Sequence, residues 1–276
     1  MDKLVKRLDA FQRRHAPIGF VVGVIKKFGD DRGGQLAALI TYYGFFSMFP
    51  LLLVAFAILG FVLDGDPELQ QRIADTLTGN LPIPGIEAGE LKGSGAALVI
   101  GLLLALWSGL GATQVAQDAL NTVWSVERSD HPNFLWKRIR GLATLGVIGV
   151  GVLLATAAGA VAGLLGPAAM IAGYAGAVIV NTTVVACLVQ ILVSTPLKWI
   201  DIVPGAAFTG MAWTALQGVG SWYTRGLVDR ADKTYGTFAV VIGLLSWIFL
   251  QSQAFIYGAE LSVVRSSKMW PRSLVD

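Results

Sequence analysis

The sequence predicts an all-α integral membrane bundle of six transmembrane helices, and three observations carry that reading. Residues of the AVILMFWYC set fill 54% of the 276 positions, and the 33 glycines lift the apolar-plus-glycine share to about 66%, against roughly 45–50% in average proteins. Charged residues fall to 14%, where about 25% is usual, so a soluble fold of this size would lack the polar surface to cover its apolar groups. Finally, six stretches, at about 36–63, 95–118, 141–165, 170–193, 203–224 and 236–260, match the roughly 20 mostly apolar residues that cross about 30 Å of hydrocarbon.

Residues 1–35 read as a cytoplasmic amphipathic N-terminal segment. Over 2–28 the pattern suits one or two helices, with Leu4, Val5, Leu8 and Phe11 on one face, Lys3, Lys6, Arg7, Arg13 and Arg14 on the other, and a break near Pro17. Such a helix either lies on anionic lipid, each basic residue adding on the order of 1 kcal/mol near the surface, or caps the bundle from beneath. The first span starts too late and runs too long for a cleaved signal peptide, so the N-terminus is expected to be retained. In that span Tyr42, Tyr43, Ser47 and Pro50 interrupt the apolar run, and Pro50 removes one helical hydrogen bond. The external loop then signals a short helix, with Asp66 as N-cap, Pro67 in the first turn, Leu69, Ile73 and Leu77 on one face and Gly79 as a stop. It reads as a lid or as an interfacial spacer. Leu81-Pro82-Ile83-Pro84 forbids regular helix after it.

Span two carries Gly101, Ala105 and Gly109, and span three carries Gly151, Ala155, Gly159 and Gly163 at strict intervals of four. Small residues so spaced let a second helix approach closely, which fits internal helix packing, a homo-oligomer contact or a groove for a lipid chain. Between these spans the loop Glu127–Lys137 contains His131 and Pro132, and the short uncharged turn at Leu165–Ala169 makes spans three and four a tight antiparallel hairpin. Span four supplies Asn181 and Gln190, and span five supplies Thr209, Trp213 and Gln217 at intervals of four. Trp199, Trp222, Tyr223 and Trp270 lie near span ends, where aromatic anchors belong. Residues 265–276 form a cytoplasmic tail to the 36–264 transmembrane domain.

Orientation follows from lysine and arginine, which resist translocation. With six spans both termini share a side, and the segments on that side hold 16 of the 21 basic residues, so both termini are expected in the cytoplasm. No charge sits near the middle of a span, which argues against a proton-driven pump built on a midplane carboxylate.

Span six offers the best candidate site. Ser246, Gln253 and Glu260 are seven apart, within about 20° per step on one helical face, and Tyr257 joins them. A polar stripe facing lipid would be costly, so this face is expected to look inward. Span two ends with Gln114, Gln117, Asp118 and Asn121, and Asp118 and Glu260 fall at similar depth, with Arg140 as a candidate counter-charge. Asp118, Asn121, Gln253, Tyr257 and Glu260 thus read either as a mouth that binds a polar headgroup or as a helix-end packing network. Catalysis is not expected. His15 and His131 lack metal-ligand spacing, no P-loop, H-E-x-x-H or nucleophile elbow occurs, and the single Cys187 excludes an intramolecular disulfide and a cysteine-based metal site. No cofactor or metal is implied.

The run Leu36-Ala37-Ala38-Leu39-Ile40-Thr41-Tyr42-Tyr43-Gly44-Phe45-Phe46-Ser47-Met48-Phe49-Pro50, together with Leu106-Trp107-Ser108 and the span-six pieces Tyr235-Gly236, Trp247-Ile248-Phe249-Leu250 and Gly258-Ala259-Glu260-Leu261, resembles the YihY/BrkB membrane-protein family, which includes the YhjD-type proteins. The resemblance runs from about residue 20 to 264 and implies six helices in a bacterial inner membrane, a link to envelope integrity, and a suggested role in moving lipid or lipid-linked material. Tyr43, Ser47, Pro50, Trp107, Gly236, Trp247, Gly258 and Glu260 match its recurrent positions. The family has also carried the label ribonuclease BN. This sequence lacks both metal-ligand clustering and a basic, aromatic-studded groove, so no nucleic-acid partner is expected.

The combined expectation is transport or accommodation of an amphipathic envelope molecule, with membrane lipids as partners. Tyr43, Ser47, Pro50, Trp107, Trp213, Gln217, Ser246 and Trp247 would shape the cavity. The alternatives are a scaffold for envelope-assembly proteins and a small-solute channel or carrier.

Overall fold

The computed structural model describes residues 15–62, 95–164, 167–231 and 237–271. They form seven α-helices and one short 3-10 turn, Arg128–Asp130, with no strand among the described residues. In chain order the helices are α1 (Ala16–Asp30), α2 (Gly33–Val62), α3 (Gly95–Val123), α4 (Phe134–Leu164), α5 (Pro167–Leu192), α6 (Trp199–Ala231) and α7 (Thr237–Ser266). The amphipathic face expected over Lys3–Arg14 and the external helix expected from Asp66 to Gly79 lie outside the described residues.

Each expected span matches one of the six long helices, overrunning it by at most one residue; these helices run 26 to 33 residues and so extend roughly 39–50 Å. Among the described residues, four of these are long and apolar enough to cross a membrane, over Gly33–Val54, Leu98–Val123, Ala172–Leu192 and Val241–Ser266. The other two, α4 and α6, run on into residues 155–164 and 220–231, whose side chains lie outside the described residues.

Helix ends follow local chemistry rather than the limits of the apolar runs. Pro17 stands in the first turn of α1, where its missing N–H costs nothing, so the break expected there is a helix start. The loop expected over Glu127–Lys137 is shorter than its sequence suggests, because α4 already begins at Phe134. Asn133 caps that start, its Oδ1 accepting the Trp136 N–H at 3.0 Å. At the other end of such helices, Arg32, Ser125 and Lys268 adopt left-handed backbone with φ of 55°, 52° and 50°. Val126 N then bonds Asn121 O at 2.8 Å and Met269 N bonds Val264 O at 3.0 Å, closing α3 and α7 with six-to-one bonds over carbonyls that the helix leaves open.

The chain forms two compact units: Met1–Ile40, Thr113–Ser221 and Phe249–Asp276 make one, and Thr41–Ala112 with Trp222–Ile248 make the other. The first has a core in which Leu120 and Val123 of α3, Val185 and Leu192 of α5, Ile202 of α6, and Ile256 and Val264 of α7 are all at most 2% exposed. In lipid the drive for such packing is close van der Waals fit, so small residues mark the seams. A Cβ on Gly205 would sit 1.9 Å from the Gly258 carbonyl oxygen, and one on Gly258 would sit 2.0 Å from Thr209 Oγ1; α6 and α7 touch backbone to backbone. On the α5 side of α6, a Cβ on Gly210 would sit 2.4 Å from Thr182 Oγ1, and Asn181 Nδ2 donates to Thr214 Oγ1 at 3.0 Å. Gly151 of α4 meets Val184 of α5, and only residues 165 and 166 separate those helices, in keeping with a tight hairpin. Ala155, Gly159 and Gly163 continue α4, and their packing lies outside the described side chains.

In the second unit α2 is the spine. Gly101 of α3 faces Leu53 and Val54, Gly111 faces the Tyr43 ring, and Gly44 faces Ile248 of α7. Tyr42, Tyr43, Phe45, Phe46 and Phe49 contact one another ring to ring along α2, all but Phe45 exposed.

Candidate functional site

Within the first unit, the most unusual chemistry lies where α1 meets the C-terminal turns of α3 and α7. Gly19, Gly23, Val24 and Lys27 form the buried face of α1. Gly23 lets the helix approach, because a Cβ there would already stand 3.3 Å from the Met269 carbonyl oxygen and 3.4 Å from Val264. One turn on, that closeness brings Lys27 into the interior with its side chain 3% exposed. Its Nζ donates to the Val123 carbonyl oxygen at 2.8 Å, donates to the Asp31 carboxylate one turn along α1, and lies 2.9 Å from Oε2 of Glu260, which is fully buried. Apart from this contact with the Lys27 ammonium, neither Glu260 oxygen has a hydrogen-bond partner. One ammonium therefore serves two carboxylates and a helix-end carbonyl. Beside it the Phe28 ring stacks on Tyr257 of α7, centroids 3.8 Å apart and planes within 5°.

The five residues of the expected polar cluster go to different places. Tyr257 and Glu260 meet α1, and Gln253 is half-buried further up α7. Asn121 is 1% exposed and accepts the Ser194 N–H through Oδ1 at 2.9 Å, joining the end of α3 to the end of α5. Asp118 points outward, 61% exposed, toward Lys137 Nζ at 3.5 Å. The two carboxylates expected to converge thus take different counter-charges. Arg140, the candidate partner for them, donates through Nη1 to the Val193 carbonyl at 3.1 Å instead.

The cavity-shaping residues also divide. Trp213 is half-buried in the first unit, where its Nε1 donates to the Gln251 carbonyl at 3.0 Å and its ring stacks on Phe255, while Gln217 is exposed. In the second unit Ser47 is buried and returns its hydroxyl to the Gly44 carbonyl at 2.7 Å, and Pro50 is half-buried inside an α2 helix that continues through it. Trp107 is 75% exposed and Tyr43 40%, Ser246 is exposed and Trp247 half-buried.

Sequence reasoning missed Lys27 and the α6–α7 seam. The seam is bonded as well as close: Thr209 Oγ1 donates to the carbonyls of Gly205 and Ala254, Gly205 N–H donates to Ser262 Oγ, and Ser262 Oγ–H donates to the Ile202 carbonyl. Its signal was present as Gly205-x3-Thr209 and Gly258-x3-Ser262. For Lys27 the signal was its place four residues beyond Gly23 and eight beyond Gly19 on a single face. Among the described residues no group of histidine, cysteine and carboxylate side chains could hold a metal ion.

Comparison with known proteins places this helical architecture in a family. The inner membrane protein YhjD of Escherichia coli is 31% identical over 154 residues, covering 52% of this chain and 44% of that protein. A UPF0761 membrane protein of Stenotrophomonas maltophilia is 28% identical over 286 aligned positions, covering 95% of this chain and 64% of its own length. The chain therefore spans about half to two thirds of the curated relatives it matches. No solved structure gives a significant match. The family model described as "Virulence factor BrkB" matches residues 24–273, nearly the whole chain, and the protein belongs to the BrkB family of membrane proteins.

Proposed function

We propose that this protein accommodates or moves a lipid or another amphipathic envelope molecule in the bacterial inner membrane, both termini cytoplasmic, with no catalytic step and no cofactor. The observation that supports the reading is the Lys27–Glu260 contact. An ionisable pair buried among the ends of membrane-crossing helices is costly and so points to use, the more so where its carboxylate oxygens have no further hydrogen-bond donor. A phosphate-bearing headgroup competes for the Lys27 ammonium, and a headgroup amine or hydroxyl supplies the donors that Glu260 lacks. Half-buried Gln253 and Tyr257 lie on the same helix face, where they can orient the polar part of such a molecule.

The test is native mass spectrometry of protein released from its own membrane, with identification of the bound lipid, on wild type, Lys27→Gln and Glu260→Gln. A defined lipid retained by wild type and depleted at least fivefold in both variants supports the reading. Bulk lipid alone, unchanged by either substitution, overturns it and moves the scaffold for envelope-assembly proteins to first place.

A further inference from the structure

Helix α1 is amphipathic in the opposite sense to a soluble helix. Its charged Lys27 faces the bundle with Gly19 and Gly23, while Ile18, Val21 and Ile25, spaced to lie along one helical face, are 39%, 54% and 57% exposed. A ridge of three branched aliphatic side chains turned away from the protein is poorly placed in water.

Two features say what covers it. The first is depth. Only Asp31 and Arg32 separate α1 from α2, whose membrane-crossing stretch begins at Gly33. The inner face of α1 is bonded through Lys27 to Val123, the last residue of the α3 span, and contacts Glu260, six residues before the α7 span ends at Ser266. The helix is therefore held at the level where three spans leave the hydrocarbon. The second is charge. Residues 1–14 carry Lys3, Lys6, Arg7, Arg13 and Arg14 against Asp2 and Asp9, and at the other end of the helix Lys26 and the exposed Arg32 stand beside the exposed Asp30. Basic residues flanking an apolar ridge suit a surface of anionic headgroups over acyl chains.

We infer that the Ile18–Val21–Ile25 ridge of α1 is a docking face for the anionic bilayer surface, buried in the boundary between headgroups and acyl chains while the Gly19–Gly23–Lys27 face is seated on the bundle. The helix is then a strap with two partners, lipid outside and Glu260 inside. This inference is independent of any cargo, because a scaffold or a channel would need the same seat.

The single cysteine makes the experiment direct. Spin labels are placed by Val21→Cys and Ile25→Cys, with Ser129→Cys in the exposed loop as the aqueous control, all in a Cys187→Ser background. The protein is reconstituted in nanodiscs of phosphatidylcholine with one quarter phosphatidylglycerol, and collision with oxygen is compared with collision with a nickel chelate. The expected result is at least a fivefold higher oxygen-to-nickel ratio at 21 and 25 than at 129, corresponding to about 5–10 Å below the phosphates. In pure phosphatidylcholine that ratio is expected to fall at least twofold. Nickel access at 21 and 25 equal to that at 129 overturns the docking face, as does dipolar broadening that reveals a second copy over the ridge. An unchanged ratio in neutral lipid overturns its preference for anionic lipid. Should the Cys187→Ser background fail to fold, wild-type protein cross-linked to a phosphatidylglycerol with a photoreactive acyl chain gives the same answer: adducts on residues 18–25 support the seat, and adducts confined to other segments overturn it.

Discussion

Two ion pairs of the first unit join the same kinds of group in opposite surroundings. Lys27 and Glu260 are both buried, 2.9 Å apart, whereas Lys137 and Asp118 are 3.5 Å apart with side chains 27% and 61% exposed. In water the attraction is offset by side-chain entropy and solvent screening, so an exposed pair contributes about 0–1 kcal/mol. Inside, each charge has lost its hydration and depends on the other, so removing one partner leaves the second uncompensated at a cost of about 3–5 kcal/mol. The chemical identity of a charged residue therefore says little about its weight; the neighbours on other helices set it.

The largest effect is expected from Lys27→Met, which leaves Glu260 buried without a counter-charge. It should lower folding stability by about 3–5 kcal/mol, read as a lower melting temperature in detergent, and adding Glu260→Gln should restore at least half of the loss. If Lys27→Met melts like Asp118→Asn, the contrast between the two pairs fails.

The α6–α7 seam asks whether the interior is sensitive to charge alone or also to shape. Gly205→Ala puts a methyl group into the Gly258 carbonyl, so the helices must part, and a loss of about 1–3 kcal/mol is expected from the same melting measurement. Gly149→Ala on α4, where an added Cβ meets nothing within 4 Å, is expected to be neutral or to stabilise by roughly 0.5–1 kcal/mol through helix propensity. Equal effects of the two would dissolve the role of close packing. Smaller still is Trp213→Phe, which removes the bond to the Gln251 carbonyl and should cost about 0.5–1.5 kcal/mol. Asp118→Asn comes last, with a change below about 1 kcal/mol that shrinks further as salt is raised.

The six long helices were legible in the sequence because length and apolar content are properties of one segment at a time. Partnerships between segments were less so. Asp118 and Glu260 were matched by depth, which position along a helix supplies; azimuth, which decides whether two side chains meet, depends on how each helix is rotated in the bundle. Lys27 lies 233 positions before Glu260 and reads locally as one more basic residue in a polar N-terminal segment. Only the glycines one and two turns before it mark the face on which it stands. The four-residue spacing on α4 names no partner; Gly151 meets Val184 of α5, yet among the described glycines the closest approach falls at Gly205 and Gly258. Spacing within a helix tells how near a neighbour can come, and the bonds of Thr209 and Ser262 decide which neighbour does.

That seam also limits how the molecule can move. Gly205, Thr209, Gly258 and Ser262 interlock in a single register, and sliding α7 by one residue would bring the Ala259 methyl group to where Gly258 now has only a hydrogen, while breaking the hydroxyl bonds of Thr209 and Ser262. Over this stretch α6 and α7 can tilt or translate only as one rigid lever, and a conformational cycle has to find its pivots in other helix pairs.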